Sequence, residues 1–134
     1  MKRNLLFVVA SLLAMTALAQ TKVKDHVEVM YFHGKRRCVT CMAIEKNARE
    51  VVEKEFANEK KNGKVAFRVI DISTDEDAKI AKDYRVTWSA LFVNGWKNGK
   101  GKRNDMTQFA FKNARNNTNE FWKGLSGKFK EQLK

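Results

Sequence analysis

The sequence contains no proline, only two cysteines and only two histidines in 134 residues. Without proline, we expect no cis peptide bond, because a cis bond before any other residue costs about 2.5–4 kcal/mol. The two cysteines, Cys38 and Cys41, are so close that a bridge between them would close too small a loop to hold a fold together. The core must therefore come from packing, for which nine phenylalanines and three tryptophans are available.

Acidic residues are also scarce relative to basic ones, with 15 Asp and Glu against 27 Lys and Arg, which gives a net charge of +12. Such a balance favours acidic partners, although it also serves general solubility. The cations are spread along the chain and form no recognisable nucleic-acid-binding motif. We therefore expect no nucleic-acid partner.

The first 19 residues have the parts of a secretory signal peptide. Lys2 and Arg3 precede an apolar run over residues 5–18, and residues 17–19 read Ala-Leu-Ala before Gln20. The run is short and ends in small residues, which favours cleavage over a membrane helix. No cysteine follows to carry a lipid anchor. We expect residues 1–19 to be removed and residues 20–134 to form one exported, periplasmic domain without a stable membrane anchor, where disulfides persist.

Both cysteines lie in one motif, Cys38-Val39-Thr40-Cys41, between an apolar strand over residues 27–32 and a helix over residues 42–57. A thiolate at a helix start is stabilised by the helix dipole and by nearby cations, and both lower a thiol pKa. The cations directly before the motif are Lys35, Arg36 and Arg37. Cys38 is therefore the residue that we expect to be reactive.

Strand and helix signals alternate along the rest of the chain. Asn62-Gly63 ends the first helix, and residues 65–72 form a second strand rich in β-branched side chains. Ser73 and Glu76 can form a capping box for the next helix. Residues 88–93 predict a third strand, which Asn94-Gly95 would end in a turn.

The last third of the chain gives weaker signals. Residues 96–102 predict a hairpin or loop, and Asp105 with Gln108 favours a helix over residues 106–115, although the alternation there also permits a strand. Thr118 can cap a final helix, which Gly124 and Gly127 weaken. Its apolar stripe comprises Phe121, Trp122, Leu125, Phe129 and Leu133.

This order of elements resembles the thioredoxin superfamily over residues 27–134. The specific pieces are the strand before the cysteine motif, the strand ending Asp71-Ile72, and residues 83–87 before the third strand. The resemblance implies an α/β fold in which helices flank a central mixed sheet, with an extra C-terminal helix. It also implies a thiol–disulfide oxidoreductase in which Cys38 attacks and Cys41 resolves, with no cofactor beyond the redox-active disulfide. A thiol- or disulfide-bearing protein partner and a recharging reductase or oxidase would complete the cycle.

The string over residues 31–34, followed by Arg37 and the cysteine motif, is also similar to a smaller group of exported thioredoxin-like proteins. That group is labelled as a nitrophenyl-compound nitroreductase subunit. No flavin or nicotinamide fingerprint is visible in this chain, so the nitroreductase activity is not carried over.

The chain departs from the superfamily pattern around the cysteines. Arg37 replaces the usual tryptophan, Val39-Thr40 replaces Gly-Pro, and Tyr31 lies near the position of the usual buried acid. The loop of Trp88, Ser89 and Ala90 stands where the superfamily has a cis-proline. We expect Arg36, Arg37 and this loop to shape the reduction potential and the substrate groove.

Two alternatives remain open from the sequence. Cys38 and Cys41 could bind Cu(I) or Zn(II), with His33 as a third ligand, or with Met30 or Met42 in that role. The simpler expectations are a strand-ending backbone hydrogen bond for His33 and core packing for the two methionines. The other alternative is a non-catalytic adaptor domain whose cysteines form a static disulfide.

Overall fold

The computed structural model describes residues 24–134. The predicted signal peptide over residues 1–19 lies outside the described residues. Within residues 24–134, no helix is both long enough and apolar enough to cross a membrane.

A four-stranded mixed sheet forms the centre of the domain, in the order β2-β1-β3-β4. Strand β1 pairs in parallel with β2 and antiparallel with β3, and β3 pairs antiparallel with β4. The strands are β1 (His26–His33), β2 (Val65–Asp71), β3 (Ala90–Lys97) and β4 (Lys100–Asp105).

Helices cover both faces of the sheet, as the sequence predicts. They are α1 (Val39–Glu55), α2 (Ala57–Lys61), α3 (Asp75–Asp83), α4 (Thr107–Asn113) and α5 (Thr118–Leu133). The larger core cluster joins one face of the sheet to α1, α4 and α5. The smaller cluster joins the opposite face to α3.

Strand β1 is apolar almost throughout because both of its faces are covered. Val29 and Tyr31 point into the larger core cluster, whereas Met30 and Phe32 point into the smaller one. Burial of Met30 confirms the expectation that it packs in the core. The strand therefore ends at His33 in the middle of the sheet, and four residues separate it from the cysteine motif.

The predicted turn at Asn94-Gly95 is wrong. Strand β3 continues to Lys97, and the turn lies at Asn98-Gly99, where both residues have positive φ, 53° and 76°. Two central residues with positive φ suit a two-residue hairpin. The Asn94 side chain is buried and donates to Tyr84 Oη at 2.9 Å, so it serves packing.

Three helix starts also differ from the predicted caps. Thr74, not Ser73 with Glu76, caps α3, because its Oγ1 accepts a hydrogen bond from Asp77 N at 3.2 Å. Thr118 is the first residue of α5 and not its cap. Residues 107–113 form the predicted helix, α4; its cap residue is Met106, and the Asp105 side chain accepts a hydrogen bond from Thr107 N at 2.9 Å.

Candidate functional site

Cys38 and Cys41 form a disulfide at the N-terminus of α1, with their Cα atoms 5.0 Å apart. Cys38 is the N-cap residue, and its Sγ accepts a hydrogen bond from Cys41 N at 3.0 Å. Cys38 is exposed, whereas Cys41 is fully buried. One sulfur is therefore accessible from solvent, and the other lies one helical turn inside.

The Arg37 side chain joins three elements around the motif. Its Nη1 forms an ion pair with Glu45 of α1 at 3.1 Å, and its Nη2 contacts His33 Nε2 at 2.7 Å. A guanidinium only donates, so His33 Nε2 accepts this bond and the ring proton lies on Nδ1. We call Arg37, His33 and Glu45 the arginine clasp. It ties the end of β1 and the loop over residues 34–37 to α1.

Both nitrogens of His33 are thus engaged. Besides the bond from Arg37, His33 Nδ1 donates to the backbone oxygen of Gly34 at 3.0 Å. The backbone hydrogen bond expected at the end of this strand is therefore present. A metal at His33 would have to displace one of these two bonds.

The clasp changes how the local charge is distributed. Arg37 is neutralised by Glu45, whereas Lys35 and Arg36 are exposed and form no ion pair with any described residue. The free positive charge near Cys38 therefore comes from two of the three cations that precede it. No sequence motif identifies Glu45 as part of the site. Its position four residues after Cys41 nevertheless places it on the same side of α1.

Tyr31 lies beneath the inner cysteine. Its hydroxyl donates to the backbone oxygen of Cys41 at 2.8 Å, and the side chain is fully buried. Burial raises the pKa of Tyr31 above its ordinary value, an effect that the Arg37 charge only partly offsets. Tyr31 therefore acts as a neutral hydrogen-bond donor where the superfamily pattern places an acid, and it offers Cys41 no general base.

The loop of Trp88, Ser89 and Ala90 reaches the edge of the sheet where the cysteines lie. Ala90 pairs with Phe32 in the sheet register, next to the end of β1. All peptide bonds among residues 24–134 are trans, as expected for a chain without proline. Ser89 is buried, and its Oγ forms no hydrogen bond with any described residue.

Three large apolar side chains are exposed in the described part of the chain, and all three lie at this edge. They are Val39 at 57% exposure, Met42 at 49% and Trp88 at 55%. Val39 and Met42 are three residues apart on the first turn of α1, so they are neighbours on its surface. The Trp88 ring packs at 5.6 Å from the ring of Phe111. Exposure of Met42 overturns the expectation that it packs in the core.

The structure brings few metal ligands together. No group of three or more His, Cys, Asp or Glu side chains within residues 24–134 is arranged to hold a metal ion. Met30 accepts a hydrogen bond from Asn94 Nδ2 at 3.2 Å in the core, and so it lies away from the disulfide. Of the additional ligands considered from the sequence, Met30 is therefore engaged in the core.

The strand order, the helices on both faces and the C-x-x-C disulfide at the start of α1 define a thioredoxin-like fold. No protein-family model matches the chain, and no curated protein is significantly similar to it. Among solved structures, the chain is similar to the solution structure of a thioredoxin from Thermus thermophilus. The two are 17% identical over 76% of this chain and 72% of that one, with a TM-score of 0.49. It is also similar to a structure described as a malarial protein, at 17% identity over 78% of this chain and 97% of that one, with a TM-score of 0.46.

Proposed function

We propose that the protein is a thiol–disulfide oxidoreductase of thioredoxin type, in which Cys38 attacks and Cys41 resolves. The observation that supports this most directly is the unequal exposure of the two sulfurs. Cys38 is exposed at a helix N-terminus, and Cys41 is buried within disulfide distance of it. A helix N-terminus and a backbone N–H both stabilise the thiolate, which is the reactive form of a cysteine.

The reaction would proceed in two exchanges. The Cys38 thiolate attacks one sulfur of a partner disulfide, so that a Cys38–partner bond forms and the other partner sulfur leaves as a thiolate that takes up a proton. Cys41 then loses its proton and attacks Cys38 Sγ. The intramolecular disulfide forms, and the second partner thiol is released. Two electrons pass from the dithiol to the partner, and the reverse sequence oxidises a partner dithiol.

We further propose that the protein works after export, in the periplasm. The signal-like sequence over residues 1–19 supports this, since a disulfide persists more readily in an oxidising compartment than in the cytosol. A second protein, a reductase or an oxidase, would return the pair to its starting state.

The reduction potential of the Cys38–Cys41 pair tests the proposal. Residues 20–134 are equilibrated in glutathione buffers, and the thiols are counted by mass after alkylation. We expect a reversible transition between about −270 and −120 mV, the range of known oxidoreductases. A pair that stays oxidised far below this range would indicate the static disulfide of an adaptor domain. A pair that never closes would favour the Cu(I) or Zn(II) alternative, which metal titration of the reduced protein then decides.

The arginine clasp should adjust the reactivity of Cys38 through its two opposite charges. We expect Arg37→Gln to slow alkylation of reduced Cys38 at pH 7 by about three- to fivefold, and Glu45→Gln to accelerate it by a similar factor. A unit charge about 8 Å away contributes on the order of 1 kcal/mol at an effective dielectric constant of about 40. The measurement is the rate of iodoacetamide labelling in the Cys41→Ser background.

The charge explanation requires opposite signs for the two variants. If both substitutions slow the labelling, the clasp acts by holding the loop over residues 34–37 in place. Circular dichroism of each variant serves as the control that α1 is intact.

A further inference from the structure

The rim of the disulfide combines exposed apolar side chains with exposed cations. The three exposed apolar side chains, Val39, Met42 and Trp88, lie at the same edge of the sheet as Cys38. Lys35 and Arg36 lie in the loop that enters the motif, exposed and without an ion pair among the described residues. Exposed apolar groups next to a reactive site indicate a contact surface for another molecule.

The two cations are close to the reactive sulfur because of their position in the chain. Arg36 is two residues before Cys38, so their Cα atoms are at most about 7 Å apart. Two carboxylates lie near this edge, and of these Glu45 forms an ion pair with a described residue whereas Asp71 does not. Glu45 pairs with Arg37, and Asp71 at the end of β2 accepts hydrogen bonds from Ser73, which hold the pKa of Asp71 below its ordinary value.

Asp105 also lies near this edge, at the end of β4, where it accepts a hydrogen bond from Thr107 N at 2.9 Å, and three further acidic side chains lie on the far side of the sheet. Asp75, Glu76 and Asp77 form the first turn of α3, and α3 packs on the face opposite to α1. Asp77 Oδ2 also accepts a hydrogen bond from Asp71 N at 3.1 Å. The rim around Cys38 therefore combines exposed apolar side chains with two exposed cations that form no ion pair with a described residue.

We propose that this rim binds a protein segment in which the reacting cysteine is flanked by an apolar residue and by acidic residues. The inference rests on the proposed function and names its class of substrate. The apolar residue would contact Val39, Met42 and Trp88, and the acidic residues would contact Lys35 and Arg36. Complementary charge of this kind mainly accelerates association and rejects partners of the wrong sign.

Three peptides of eight residues test the proposal. Each has one cysteine, held as a mixed disulfide with 2-mercaptoethanol, and one leucine beside it. They differ only in two flanking residues, which are Glu, Gln or Lys. We expect the reduced protein to react at least about tenfold faster with the Glu peptide than with the Lys peptide at low ionic strength, and the ratio to fall with salt.

The matched variants Lys35→Glu/Arg36→Glu and Lys97→Glu/Lys100→Glu separate local charge from net charge. Both change the net charge by the same amount. Lys97 and Lys100 form the pair next to the β3–β4 turn, beyond the His26 end of β1 and roughly 20 Å from the disulfide. We expect Lys35→Glu/Arg36→Glu to invert the peptide preference and Lys97→Glu/Lys100→Glu to leave it nearly unchanged. Equal loss in both variants, or no preference in the unmodified protein, would overturn the proposal.

Binding without exchange separates this inference from the proposed function. The same peptides with serine in place of cysteine are titrated into the oxidised protein, and the Trp88 indole N–H is followed by NMR. Charge-selective shifts without any disulfide exchange would support the surface and contradict the oxidoreductase. Exchange at equal rates with all three peptides would support the oxidoreductase and contradict the surface.

Discussion

Replacing Cys38 by serine is expected to abolish disulfide exchange, whereas Cys41→Ser is expected to keep the first attack and accumulate a mixed disulfide. Cys38 is the exposed sulfur at the start of α1, so only its thiolate can meet a partner. Cys41 is fully buried and can reach only Cys38. The measurement is mass spectrometry of each reduced variant after mixing with oxidised glutathione.

The difference between the two cysteine variants should be large. We expect the Cys38→Ser protein to form mixed disulfide at least about a hundredfold more slowly than the Cys41→Ser protein, since a buried thiol in apolar surroundings is inert. The double variant gives the background without thiols. Equal reactivity of the two single variants would contradict the assignment of attacking and resolving roles.

The slow step of the cycle should be the attack by Cys41. Tyr31 donates to the backbone oxygen of Cys41, and burial keeps its hydroxyl protonated because its pKa is raised. Among residues 24–134, the side chain that contacts the Cys41 backbone oxygen is therefore a phenol and not a carboxylate. The mixed disulfide is therefore expected to persist long enough to be trapped.

The fold could be predicted from the sequence because its strongest signals are local. Strand β1 is apolar on both faces, and the cysteine motif precedes a helix whose apolar positions recur at helical spacing. Both features are confirmed by the structure. The central mixed sheet follows from the resemblance to the thioredoxin superfamily, and it is confirmed as well.

A hairpin or loop over residues 96–102 is predicted and the hairpin is present, but the end of β3 could not be predicted because the chain offers two similar turn signals. Asn94-Gly95 and Asn98-Gly99 have the same sequence, and only the second has positive φ at both residues. Asn94 instead lies in β3, where Tyr84 Oη accepts a hydrogen bond from its side chain. That contact joins β3 to the end of α3, and no local pattern indicates it.

The electrostatics of the candidate site were only partly predictable. From the sequence alone, the three cations before Cys38 are equivalent. In the structure, Arg37 forms a hydrogen-bonded ion pair with Glu45, eight residues further on. The pairing depends on how the loop enters α1, which spacing alone does not fix. In the same way, helical periodicity does not reveal that Val39 and Met42 remain uncovered.

The effect of the two glycines of α5 on stability is also only partly predictable from the sequence. By helix propensity, Gly124 and Gly127 each cost roughly 1 kcal/mol relative to alanine. A Cβ on Gly127 would have no neighbour within 4 Å, whereas a Cβ on Gly124 would overlap the ring of Phe109. Phe109 stacks on Phe121, with their ring centroids 6.0 Å apart, and this contact joins α4 to α5.

We therefore expect the two Gly→Ala substitutions to act in opposite directions. Gly127→Ala should raise the free energy of unfolding by about 0.5–1 kcal/mol, because alanine is the better helix former at an exposed position. Gly124→Ala should lower it by about 1–2 kcal/mol, since overpacking costs typically 1–3 kcal/mol and exceeds the gain in propensity. Urea unfolding followed by circular dichroism measures both changes.

A second substitution identifies Phe109 as the cause of the difference. A leucine at position 109 is smaller than the ring, so Phe109→Leu should remove most of the penalty of Gly124→Ala and leave the gain from Gly127→Ala unchanged. The coupling between positions 109 and 124 is expected to be on the order of 1–2 kcal/mol, within the range for residues in contact. If Gly124→Ala instead stabilises the protein as much as Gly127→Ala, the Phe109 ring does not pack against α5 at Gly124. Gly124 would then lower the stability of α5 only through its low helix propensity, as the sequence alone indicates.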